Sequence, residues 1–142
     1  MSDIRKHAVE QTSRLHLRNA ADEPMYADGE DGNPDPSKPM VAVLYGPGSR
    51  QYAKAAAARN NRLVDALKKK GKTEKSAEEQ TRETADFLSA CTHSLEHVDY
   101  DGLQGEALFR AVYSDTSIGF IAEQVGKHIG EWGNFKKASS TS

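Results

Sequence analysis

The stretch CTHSLEHVDY, residues 91–100, sets His93, Glu96 and His97 in the spacing H-x-x-E-H. On a helix the two imidazoles would share a face one turn apart, with the carboxylate beside them, as in one class of zinc peptidase. A catalytic zinc needs a third protein ligand and an open coordination position. In enzymes with this spacing the third ligand is a glutamate well downstream, and only 45 residues follow His97. Glu123 and Glu131 interleave with an apolar stripe and read as solvent-facing. The stripe Phe87, Cys91, Leu95 and Val98 leaves His93 and His97 on the polar flank of the same helix. Three fixed positions in five arise often by chance, so the expectation is no metal site and no enzyme.

The other chemical candidates are weaker still. Asp31-x-Asn33-x-Asp35 matches the first three ligands of a calcium loop, but Pro36 stands where glycine belongs and Ala42 where glutamate belongs. GPGSR, residues 46–50, is a glycine-rich turn before a helix, where a phosphate can bind. It lacks the G-K-[ST] of a P-loop and the third glycine of a dinucleotide fingerprint, so no cofactor is expected. Lys68–Lys72 (KKKGK) could touch nucleic acid, yet lysines in a last helical turn follow from the helix dipole alone. Cys91 has no evident base beside it.

At 142 residues the chain is long enough for one domain. Mean hydropathy is −0.73, and the longest apolar run, Met40–Tyr45, is far short of a membrane span. The N-terminus has no apolar signal region, and one cysteine leaves no disulfide framework. A cytoplasmic protein is expected. The net charge of −2 is unevenly placed. Residues 51–72 hold 7 basic and 1 acidic group, and residues 73–142 hold 6 basic and 12 acidic. A neutral mean argues against general nucleic-acid binding. A basic helix and an acidic C-terminal half suggest charge-matched self-association, hence a homo-oligomer.

These residues need elements to carry them. Residues 1–12 lack a period and read as a loose arm. SRLHLRNA alternates from Ser13, and PMVAVLYG is a second strand, so residues 13–48 form a hairpin region. ADGEDGNPDPSKP between them reads as a turn or mobile loop, with PMYA (24–27) as an extra strand of a three-stranded meander. Residues 49–135 read as three or four helices. Ser49 caps the first, Gly71 stops it, and its stripe is Tyr52, Ala56, Arg59, Leu63, Ala66 and Leu67. Ser76-Ala-Glu-Glu79 opens the second as a capping box, running through Val98. EALFRAVYSD is the third. The last carries Ile118, Ile121, Ala122, Val125, Ile129 and Trp132. Residues 136–142 read as a frayed tail. The class is α+β.

Three segments resemble tail assembly chaperones of long-tailed bacteriophages: MVAVLYGPGSRQYAKAAAARNNR, ALFRAVYSDTSIGFIAEQV and GKHIGEWGNF. They lie within residues 39–62 and 107–135. The resemblance implies a factor acting in the host cytoplasm, absent from the finished virion, that coats the tape-measure protein and recruits tail-tube protein. A small structural protein of the tail, pairing through its hairpin, is the alternative. The aromatic C-terminal end, with Ile129, Trp132 and Phe135 beside Gly130 and Gly133, is the expected partner-binding surface.

Overall fold

The computed structural model describes residues 3–70 and 76–137. The two expected strands meet as an antiparallel pair. Strand β1 (Thr12–His16) lies against β4 (Val41–Tyr45), with Thr12 opposite Tyr45 and His16 opposite Val41. Alternation turns Ala42 and Leu44 into the core, both fully buried, and leaves Val43 and Tyr45 half-buried on the other face.

The intervening segment is more regular than its Gly, Pro and Asp content implies. β2 (Tyr26–Asp28) and β3 (Pro34–Pro39) form a separate two-stranded sheet. The Met25 N–H donates to Leu17 C=O, and Met40 N–H donates to Met25 C=O, so backbone bonds tie the hairpin to the main sheet. Its turn is built by side chains: Asp31 accepts from the Asn33 N–H, Asp35 from the Ser37 N–H, and Gly32 supplies a φ of 80°. Three prolines fit β3 because it has only one strand partner.

Helix α1 (Arg50–Lys70) is capped as expected, the Tyr52 N–H donating to Ser49 Oγ at 3.1 Å. Its expected stripe is only partly covered. Tyr52, Ala56, Leu63 and Ala66 are half-buried and Arg59 and Leu67 are exposed, while the buried position is Ala55, outside that stripe. The Gly71 stop lies outside the described residues. α2 (Ala77–Ala90) is capped by Ser76, which accepts from the Glu79 N–H.

The second helix does not reach Val98. It ends at Ala90, and residues Thr92–Glu96 form β5, which pairs antiparallel with β4. The three-stranded sheet therefore has the order β1-β4-β5, and the region 49–135 is not purely helical. Tertiary pairing overrides the helical period here. β4 already has one open ladder, and the Tyr45 N–H donates to Cys91 C=O at 2.7 Å, drawing the chain into it. Thr92 Oγ1 donates to the freed Leu88 C=O at 2.7 Å, which closes the helix end.

α3 (Gly105–Ser114) and α4 (Gly119–Ile129) follow as expected. Leu17, Ala42, Leu44, Leu88, Cys91, Val112, Ile121, Val125 and Ile129 form one core between the sheet and α2, α3 and α4. After α4 comes a 3-10 turn, Trp132–Phe135, so Trp132 is not part of the last helix. Among the described residues no helix is long and apolar enough to cross a membrane.

Candidate functional site

β5 takes the H-x-x-E-H residues off a helix. The register slips between Val43 and Leu44, opposite Ser94 and Thr92, so His93 is an unpaired bulge residue. Its ring lies edge-on to Tyr45, with centroids 5.9 Å apart. Glu96 is held on the open sheet face by Arg14 of β1, through bonds of 2.9 and 2.7 Å. That bidentate bond holds its carboxyl below the usual range and leaves a poor general base. His97 sits beyond the strand at φ 61°, its Nδ1 2.7 Å from Pro39 O. The three side chains thus meet three different partners. Among the described residues no group of three or more His, Cys, Asp or Glu is placed to hold a metal.

The GPG turn needs glycine for the side chains packed on it. A Cβ on Gly46 would come within 2.5 Å of Cγ and Cε2 of Phe135, whose ring lies flat on the bare backbone. A Cβ on Gly48 would meet Val9 Cγ2 at 2.9 Å and Trp132 Cζ3 at 3.5 Å. The glycines are beds for an aromatic and an aliphatic side chain. The Glu10 N–H donates to Phe135 C=O at 2.6 Å, and the Gly46 N–H to Gln11 C=O at 2.9 Å. The C-terminal turn, the end of the N-terminal arm and the start of α1 are therefore one knot, and residues 10–12 are not loose.

The three residues expected to bind a partner divide here. Ile129 and Phe135 are buried in the chain's own core, at 1% and 0% exposure. Trp132 is 58% exposed, with one edge over Gly48. Burying a phenylalanine contributes about 1.5–3 kcal/mol, so Phe135 anchors the turn that holds Trp132 out. His128 braces the same turn. It is half-buried, its Nε2 lies 2.9 Å from Ser13 Oγ, and its ring stands edge-on to Phe135 at 5.5 Å. Burial holds its pKa below the ordinary 6.5, against the pull of Glu131.

Two residues past the end of β1, Gln124 of α4 takes both backbone bonds of Arg18: the Arg18 N–H donates to its Oε1, and its Nε2 donates to Arg18 O, each at 2.8 Å. At the β5 edge the His93 bulge and the left-handed His97 interrupt the ladder. Cys91 is fully buried, and burial pushes its thiol up to about 11, so it is no nucleophile.

The roles of Gly46, Gly48 and Gln124 escape sequence reasoning. The glycine pair is visible as a turn, but nothing local says which side chain lies on it. Comparison with family models, curated proteins and solved structures gives no match.

Proposed function

We propose that this chain is a tail assembly chaperone of a long-tailed bacteriophage, working in the host cytoplasm on the tape-measure protein and recruiting tail-tube protein. The observation that carries this reading is a meeting of its resemblance segments. Gly46 and Gly48 belong to the first, and Phe135 and Trp132, which lie on them, belong to the last. The likeness thus falls on residues that pack together beneath and beside the exposed Trp132.

Trp132 is the residue of that surface available to a client, and Ile129 and Phe135 act as its support. A client helix would cover an indole already held against rigid backbone, which lowers the entropy cost of binding.

The test is capture of the tape-measure protein encoded by the same phage, co-expressed with wild-type chain and with W132A. Wild type should retain it, and W132A should lose about 2 kcal/mol of binding, roughly thirtyfold, with an unchanged melting temperature. No capture by wild type, or stoichiometric copies in purified virions, would overturn the chaperone reading. Equal capture by both chains would remove Trp132 from the client surface.

A further inference from the structure

Ile4 is the most exposed large apolar side chain among the described residues, at 78%, and Trp132 is next at 58%. They belong to segments that meet. Val9 and the edge of Trp132 both lie over Gly48, and the Glu10 N–H donates to Phe135 C=O at 2.6 Å. The N-terminal arm therefore leaves the body of the protein beside the indole.

Before Val9, among the described residues, the arm's hydrogen bonds are all its own. The Lys6 N–H donates to Asp3 C=O and the Ala8 N–H to Arg5 C=O. The Asp3 carboxylate caps this turn and pairs with the Arg5 guanidinium. The turn, Ile4–His7, buries no residue. Drawn out, the five residues from Ile4 to Val9 reach about 17 Å. That exceeds the width of a helix with its side chains, roughly 10–12 Å. An isoleucine on such a tether can close on the flank of a helix seated on Trp132.

The charge around the indole has one sign. In a chain of net charge −2, residues 3–10, 46–50 and 131–137 hold five Lys and Arg against three Asp and Glu. Asp3 is taken by Arg5, while Lys6, Arg50, Lys136 and Lys137 are exposed and form no ion pair with a described residue. Arg50 opens α1 with no acid in the first turn, where a cation opposes the helix dipole. A partner carrying carboxylates relieves that opposition and supplies the missing pairs.

We infer that the N-terminal arm is a clasp, which closes Ile4 on an amphipathic helix seated on Trp132. The helix it fits has an apolar stripe that meets both side chains, and Asp or Glu on its flanks facing Lys6, Arg50 and Lys136. The inference rests on the reading of Trp132 as the client surface, and it states what the client helix is made of. The two anchors act together, because a helix seated on the indole already lies within reach of the tethered isoleucine.

Two synthetic helical peptides without tryptophan test this on the full chain. Both carry a leucine stripe, one with glutamates on its flanks and the other with lysines. The emission of Trp132, the one tryptophan, reports binding. The glutamate peptide should shift that emission to the blue, and added salt should weaken its binding. The lysine peptide should leave the emission unchanged at the same concentrations. I4S and K6E/K136E alter exposed side chains only, so each should keep the wild-type melting temperature and bind the glutamate peptide about tenfold more weakly. No shift with the glutamate peptide, equal shifts with both peptides, or I4S binding like wild type would overturn the inference. The tape-measure protein separates this from the chaperone reading. Its equal capture by wild type, I4S and K6E/K136E sinks the clasp alone, and glutamate-peptide binding without tape-measure capture sinks the chaperone reading alone.

Discussion

Replacing Gly46 by alanine adds one methyl group where the Phe135 ring already lies, within 2.5 Å of three ring carbons. No real Cβ approaches an aromatic carbon so closely, so something must shift. Gly46 is fixed from both sides: its N–H is bonded to Gln11 O, and its C=O accepts from the Ser49 N–H at 3.0 Å and the Ser49 hydroxyl at 2.7 Å. Phe135 is the part that gives. If the ring tilts and stays in, the cost is that of overpacking, about 1–3 kcal/mol. If it leaves, the cost rises toward that of Phe135→Ala, about 3–5 kcal/mol. For a chain of this size, about 2 kcal/mol corresponds to a fall of roughly 6 °C in melting temperature.

The two substitutions share one contact, so their costs should not add. With Phe135 already alanine, the new methyl at Gly46 enters the space the ring left and should cost less than about 0.5 kcal/mol. Urea unfolding followed by circular dichroism measures all four chains of the cycle. The emission of Trp132, the one tryptophan, adds a local probe because its ring edge lies over neighbouring Gly48. G46A unfolding at the wild-type midpoint, or costs that simply add in the double variant, would show that Phe135 does not lie on Gly46.

His128 and Cys91 give two further tests. Because burial depresses the His128 pKa, the unfolded chain binds its proton at higher pH than the folded one; this contribution to stability is complete above about 6.5 and is lost as pH falls through the folded value. H128Q should flatten the dependence of the urea midpoint between about pH 7 and 5, and a variant as pH-sensitive as wild type would refute the assignment. Cys91, fully buried with its thiol pushed up to about 11, should resist a disulfide reagent until the chain unfolds, and rapid labelling of folded protein would contradict its placement.

Much of the scaffold is legible in the residues because local chemistry and tertiary structure agree there. Ser49 and Ser76 cap where they should, Val41–Tyr45 lies in an apolar, β-branched run, and α3 and α4 carry clean stripes. The misses fall where a non-local partner decides. Cys91, Leu95 and Val98 continue the period of α2, and no local residue forbids a helix there. Only the unfilled ladder of β4 turns Thr92–Glu96 into a strand, and with it the histidine and glutamate spacing loses its helical geometry. PDPSKP breaks helices and central strands alike, yet it serves as a short strand because its one partner, β2, lies on a single side.

The candidate surface follows the same logic at finer scale. Ile129, Trp132 and Phe135 are all large and apolar, and spacing alone treats them as one face. What separates them is the floor each one finds. Ile129 enters the core from α4, and Phe135 closes on Gly46, a position with no side chain to keep it out. Trp132 finds only Gly48, already partly covered by Val9, and its ring is too large to be enclosed there. The indole stays out because neighbouring apolar residues are held in. Weakening Phe135 would therefore loosen the support of Trp132 before it altered the indole's own contacts, which is why client binding is tested by W132A rather than at Phe135.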